Sequence, residues 1–366
     1  MTNKQIIVHV GPPKTGTSVI QYWLQSNRKW LESQDIYYPV HDLDSNSVSS
    51  GHRNLFLEKP EGSPRATFNH EKFSELLAHF NDKKCGKLLL SSEFFFYQLP
   101  EFLKYAKYYQ LRFIAYVRAD FELVESLYNQ SVKRNFQTGK LAHRSMLPKS
   151  YLDDLITYVS QYSPDYFELR AFGDSEVFGG NIVTDFVQAL RISNDICESY
   201  LDTKINSSYS FECLEFKRWV NRFKLTQLDA TLDQYLQSYQ GRINNYSLLP
   251  ADIYKGYQTQ SLEKINALQR VAPISNYEKL VAYVQAKRRG KYIHQDLYPQ
   301  HLEEVASFLL QRDFNTFEAL LNQVGLHAKD EIDIERLKVL ERIFETSSAG
   351  DARPHWLSKI WGLFKN

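Results

Sequence analysis

The chain has few cysteines, almost no net charge and no long apolar run. Its 366 residues include three cysteines, Cys85, Cys197 and Cys213, without C-x-x-C spacing, so neither a disulfide framework nor a zinc site is predicted. The 44 Lys and Arg residues against 43 Asp and Glu residues leave a net charge of +1. This balance does not indicate a surface that attracts nucleic acid broadly, so any anion site must be local.

Membrane and export signals are also lacking. No apolar run approaches the roughly 20 residues that a spanning helix needs, and the N-terminus shows no signal-peptide core with a cleavage site. With the scattered cysteines, these absences predict a reducing, cytoplasmic location. The 43% hydrophobic and 24% charged residues are ordinary for a globular chain that is long enough to bury a sizeable core.

The first 135 residues alternate short apolar strands with helical stretches. Strands are predicted at residues 6–10, 87–90 and 112–117, and helices at 17–30, 71–80 and 120–134. This alternation predicts an α/β fold with a P-loop-type parallel sheet flanked by helices. Ligands of such sheets bind beyond the carboxyl ends of the strands.

A further strand is predicted at residues 166–172, and the chain after about residue 205 is predicted to be almost entirely helical. We expect an α/β core at 1–205, a helical extension packed on it at 206–345 and a tail at 346–366. Residues 41–70, rich in Ser, Asn, Gly and Pro, are predicted to form a long loop of the kind that is often functional. The tail mixes aromatic residues with lysines, which leaves two interpretations open: a helix docked on its own domain, or an interfacial helix that contacts a membrane or partner.

The loop after the first strand, GPPKTGTS at residues 11–18, is the most informative stretch. It has the glycines and hydroxyl residues of a phosphate-binding loop, but a Walker A motif needs its lysine after the second glycine, and Lys14 precedes Gly16. Backbone N–H groups at such a turn and at the following helix start converge on an anion. The loop is therefore predicted to hold a phosphate or sulfate, with Lys14 supplying a full positive charge.

This loop resembles the 5′-phosphosulfate loop of the sulfotransferases that use 3′-phosphoadenosine 5′-phosphosulfate (PAPS), in particular their bacterial carbohydrate-type branch. A second signature of that family is an arginine at the end of a later strand with a serine eight residues on. The segment RADFELVES supplies Arg118 and Ser126 at that spacing. The resemblance covers about residues 5–210. It implies that Lys14 contacts the bridging oxygen of the phosphosulfate and that Arg118 and Ser126 hold the 3′-phosphate.

The resemblance also implies the reaction and its partners. It implies a P-loop sulfotransferase with PAPS as co-substrate, adenosine 3′,5′-bisphosphate (PAP) as product and no metal. The implied co-substrate-binding residues are Pro13, Lys14, Thr15, Gly16, Thr17, Ser18, Arg118 and Ser126. The implied acceptor is a carbohydrate or glycolipid hydroxyl in surface polysaccharide biosynthesis. We expect no nucleic-acid partner, leave the oligomeric state open and consider peripheral contact of the tail with the inner face of the membrane.

Transfer to a hydroxyl also needs a base for the acceptor's proton, and two residues are candidates. The family places the base just after the strand that precedes the arginine strand, where this chain has Glu93 in KLLLSSEFFFY. The adjacent phenylalanines favour a raised pKa for Glu93. His52 in SSGHRNLF is the alternative, because an imidazole has a suitable pKa without tuning.

Two other functions remain open from the sequence. A P-loop kinase or NTPase would need a lysine after Gly16 and a magnesium-binding aspartate, but position 17 is threonine and no apolar run ends in a clear Walker B aspartate. A non-catalytic protein that binds PAP or glycan is the third possibility. The joint presence of Lys14, Arg118, Ser126 and Glu93 favours an enzyme over it.

Overall fold

The structure, a computed structural model, describes residues 4–41, 50–60, 66–192 and 209–348. The aromatic and lysine-rich segment at 353–366 and parts of the predicted 41–70 loop lie outside the described residues. In chain order the strands are β1 (Gln5–Gly11), β2 (Ile36–Tyr37), β3 (Leu57–Glu58), β4 (Thr67–Phe68), β5 (Lys87–Ser91), β6 (Gln110–Val117), β7 (Phe167–Ala171), β8 (Tyr246–Ser247), β9 (Ile274–Ser275) and β10 (Lys291–Tyr292).

The helices form two sets. Those of the first half are α1 (Thr17–Ser26), α2 (Arg28–Ser33), α3 (Arg53–Phe56), α4 (His70–Asn81), α5 (Leu99–Leu103), α6 (Asp120–Arg134), α7 (Tyr151–Tyr162), α8 (Ser175–Phe178) and α9 (Ile182–Leu190). Those of the second half are α10 (Phe211–Val220), α11 (Asp229–Ser238), α12 (Ala251–Val271), α13 (Tyr277–Ala286), α14 (Pro299–Arg312), α15 (Phe314–His327) and α16 (Glu331–Ser348). The predicted α/β class with a helical second half is therefore confirmed.

The chain divides into two compact units. The first comprises the described residues of Met1–Val124, Arg144–Ile205 and Ala251–Arg288, and the second those of Glu125–His143, Asn206–Pro250 and Arg289–Asn366. This division differs from the predicted boundary at residue 205. The physical reason is that β9 joins the sheet of the first unit, whereas Tyr128 and Val132 are buried in the core of the second.

The first unit is built on a six-stranded parallel sheet in the order β2-β5-β1-β6-β7-β9. One face packs on α1 and α9, where Ile7 and Ile114 of the sheet meet Ile20 and Phe186 of the helices. The other face is covered by phenylalanines, with Phe113 against Phe102. Because both faces of the sheet are covered, side chains on both sides of each strand are apolar, and the strands are continuous apolar runs in the sequence. This is why they could be predicted.

The second unit is helical. Its core unites α10, α11, α14, α15 and α16, with β8 and β10 forming a two-stranded sheet beside them. Its largest fully buried side chains include Trp219 and Tyr209. No helix within the described ranges is long and apolar enough to cross a membrane.

Candidate functional site

The loop that follows β1 is shaped by left-handed backbone at three residues. Gly11, Lys14 and Gly16 have φ values of 84°, 67° and 73°. Gly16 caps α1, and no side chain caps that helix start with a hydrogen bond. A Cβ atom at Gly16 would lie 2.5 Å from Cδ1 of Ile182, so only glycine fits the turn. The loop therefore leaves the positive end of α1 available to an anion.

The hydroxyl groups of the loop differ in what they contact. Thr15 is buried and its Oγ1 donates to the carbonyl oxygen of Pro12 at 2.5 Å, which braces the turn. Thr17 is also buried, but its Oγ1 has no hydrogen-bond partner among the described residues. A buried hydroxyl without a partner is costly, and an anion oxygen would satisfy it. Pro13 and Ser18 are half-buried beside them.

Lys14 and Glu93, 79 positions apart in the sequence, meet at this loop. Glu93 follows β5 and begins a short 3₁₀-helix, Glu93–Gln98. Its Cα and Cβ lie 3.4 Å from where a Cβ on Gly11 would stand, so the carboxylate segment packs directly on the loop. Burial raises the pKa of Glu93, and the positive charge of exposed Lys14 partly opposes that rise. The two predicted catalytic residues are thus electrostatic neighbours.

Arg118 joins the same group from the end of β6. Its Nη1 donates to the carbonyl oxygen of Lys14 at 2.5 Å, and its Nε to Oε2 of Glu122 at 3.4 Å. The guanidinium also lies 5.1 Å from the ring centroid of Phe172, the residue after β7. Three separate strand ends therefore place Lys14, Glu93 and Arg118 at the carboxyl edge of one sheet.

A supporting set of residues, which the sequence did not predict, holds Arg118. The other carboxylate oxygen of Glu122 accepts from the hydroxyl of Tyr283 at 2.7 Å, and Nζ of Lys287 lies 3.4 Å from it. Glu122 could have been found from its helical i,i+4 spacing to Arg118. Tyr283 and Lys287 could not, because α13 is distant in sequence from α6 and no local pattern links them.

Ser126 lies in α6, beyond the boundary between the two units, which falls between Val124 and Glu125. Its side chain is half-buried. The joint action of Ser126 and Arg118 on one phosphate stays a prediction from the sequence pattern.

His52 is a core residue, which contradicts the hypothesis that it is an available base. It is fully buried, its Nδ1 accepts from the backbone N–H of Ser91 at 2.9 Å, and its Nε2 donates to the carbonyl oxygen of Pro39 at 2.9 Å. Tyr38 packs edge-on against the ring at 4.4 Å. Burial lowers the pKa of His52 to about 3. Both nitrogens are engaged in holding the fold, so neither can accept a substrate proton.

Comparisons with known proteins do not assign a family. No protein-family model matches the chain, and no curated protein and no solved structure matches it. Within the described ranges no group of three or more His, Cys, Asp or Glu side chains could hold a metal ion. The functional conclusion therefore rests on the arrangement of the residues themselves.

Proposed function

We propose that the protein is a PAPS-dependent sulfotransferase that moves a sulfuryl group to a carbohydrate hydroxyl of a surface polysaccharide or glycolipid. The observation that carries the proposal is the convergence of Lys14, Glu93 and Arg118 on one glycine-containing loop. They meet at the carboxyl edge of the parallel sheet, where such folds bind ligands. The proposed location is the cytoplasm.

Each element of the loop has a role in this proposal. The start of α1, which no side chain caps, and the Thr17 hydroxyl, which has no hydrogen-bond partner among the described residues, bind the oxygens of the phosphosulfate. Lys14 stands at the exposed tip, where its ammonium group neutralises the charge that grows on the leaving oxygen. Arg118 offers a planar fork to the 3′-phosphate, and the family pattern adds Ser126 there.

PAPS supplies a sulfuryl group that is activated by an anhydride bond to its 5′-phosphate. In the transfer, the acceptor oxygen forms a bond to sulfur while the bond from sulfur to the phosphate oxygen breaks, and its electron pair leaves with PAP. Glu93 takes the acceptor's proton. Its raised pKa makes it a stronger base than an ordinary carboxylate, which suits that step.

The test is thermal stabilisation by PAP compared with ATP and magnesium, since a ligand of the native state raises its melting point. At a hundred times its Kd, PAP should add about 2.7 kcal/mol to the free energy of unfolding. Lys14→Met should weaken this effect, whereas Lys107→Met, at another exposed lysine, should leave it intact. Stabilisation by ATP with magnesium and none by PAP would overturn the proposal in favour of a kinase or NTPase.

A further inference from the structure

Three aromatic side chains stand beside Glu93 and have no part in the function proposed so far. Phe94 and Tyr97 belong to the same 3₁₀-helix as Glu93 and are 36% and 52% exposed. Tyr151, at the start of α7, has its ring centroid 5.9 Å from that of Tyr97. We call Phe94, Tyr97 and Tyr151 the aromatic platform.

The platform is held in place from beneath. Phe96 is fully buried, and its ring centroid lies 5.3 Å from that of Tyr97 and 5.3 Å from that of Tyr151. Phe94 is covered on one side by Arg53, whose guanidinium lies 4.2 Å from the ring centroid. Residues three apart in a 3₁₀-helix share a face, which places Phe94 and Tyr97 on the same side. The rings are therefore presented on fixed supports.

The platform is also electrostatically coupled to Glu93. Burial raises the pKa of Tyr151, and the neighbouring hydroxyl of Tyr97 and the carboxylate of Glu93 add to that rise. Two tyrosyl hydroxyls, one guanidinium and one carboxylate are thus neighbours of these rings. A ligand that lies on these rings would have its polar groups within reach of hydrogen-bonding side chains and of the proposed base.

We propose that the aromatic platform is the acceptor subsite and binds one pyranose ring, whose reacting hydroxyl it presents to Glu93. The inference rests on the proposed function, which gives Glu93 its role. The C–H face of the sugar packs on the ring of Tyr97, as amphipathic aromatics allow, and its hydroxyls bind the tyrosyl hydroxyls and Arg53. An apolar aromatic acceptor would require an enclosed slot, whereas Tyr97 is half open to solvent.

The experiment is a glycan array of neutral and uronic-acid-containing oligosaccharides, probed with the full chain in the presence of PAP. We expect at least one pyranose oligosaccharide to bind and Tyr97→Ala to weaken that binding about tenfold. Tyr97→Phe, which keeps the ring, should weaken it less. Tyr108→Ala is the matched control, because Tyr108 is 61% exposed, has Lys107 over its ring at 4.7 Å and precedes β6 at the opposite edge of the sheet.

The inference is overturned if no glycan binds, or if Tyr97→Ala binds glycan like the unchanged protein. Preferential binding of 4-nitrophenol, measured by thermal shift at the same site, would do the same by indicating an aromatic acceptor. Thermal stabilisation by PAP, measured for each variant, shows whether a negative result rejects the platform or the proposed function. PAP binding without glycan binding would reject only the platform, whereas Tyr97-dependent glycan binding without any PAP binding would reject the sulfotransferase.

Discussion

Two groups of polar residues near the carboxyl end of β5 differ in how deeply their side chains are buried. In the sealed region, formed by His9, His52 and Ser91, every side chain is fully buried and the backbone of Ser91 donates to His52. In the open region, formed by Lys14, Glu93 and Arg118, the side chains are half-buried or exposed. Ser91 and Glu93 are two residues apart. Closeness in sequence therefore does not give polar residues the same environment here, and burial distinguishes the two regions.

The sealed region has no charge to offer a ligand. Burial lowers the pKa of both His9 and His52 to about 3, so both rings are neutral at physiological pH. Nδ1 of His9 lies 2.9 Å from the hydroxyl oxygen of Ser91, to which Gln21 also donates. The open region, in contrast, brings a lysine, an arginine and a carboxylate together, as the proposed sulfuryl transfer would require.

The largest expected effect is that of Glu93→Gln, which removes the proposed base from the open region. Turnover, measured as PAP released from PAPS with a bound glycan, should fall by about 10² to 10⁴. PAP should still stabilise the variant, because the loop is unchanged. Burial raises the pKa of Glu93 in the folded state. The stability that its protonated form contributes is therefore present below the pKa that Glu93 has in the unfolded chain, and is lost as pH rises through the folded-state pKa. The Glu93→Gln variant should accordingly be more stable than the unchanged protein at neutral pH. Near-normal turnover would show that another group is the base.

The second expected effect is that of His52→Asn, which disrupts the packing and hydrogen bonds of the sealed region. The variant leaves the Ser91 N–H or the Pro39 carbonyl unsatisfied and removes packing against Tyr38, so we expect a loss of about 2 to 4 kcal/mol in the free energy of unfolding. His79→Asn, at an exposed histidine of α4, should lose much less. Turnover of the folded fraction should stay near that of the unchanged protein. A loss of turnover without a loss of stability would contradict the conclusion that His52 serves only the fold.

The pH dependence of the same variant sharpens this prediction. Because the folded-state pKa of His52 is lowered to about 3 from 6.5, its stability contribution is present above pH 6.5 and lost as pH falls toward 3. Between pH 6.5 and pH 3, each such histidine lowers the free energy of unfolding by about 1.4 kcal/mol for every unit by which the pH falls. The urea midpoint of His52→Asn should therefore fall less steeply with acid than that of the unchanged protein. Equal slopes would show that His52 is not buried neutral.

The fold and the loop could be predicted because their signals are local. β1, β5 and β6 are continuous apolar runs, and Lys14 and Gly16 lie within one short motif. The sealing of His52 could not, since it depends on Pro39 and Ser91, which are 13 and 39 residues away. Residues 125–143 belong to the second unit and residues 251–288 to the first. This assignment likewise depends on long-range packing, which local sequence patterns do not contain.

The smallest expected effect concerns the support behind the open region, where Tyr283 donates to the carboxylate of Glu122 that in turn holds Arg118. Tyr283→Phe removes one hydrogen bond, so the Kd for PAP should rise about three- to tenfold, as measured by calorimetry. Tyr277→Phe is the control, because it lies in the same helix and its hydroxyl donates to Asn266. If both variants weaken PAP binding equally, or neither does, Glu122 does not position Arg118 through α13.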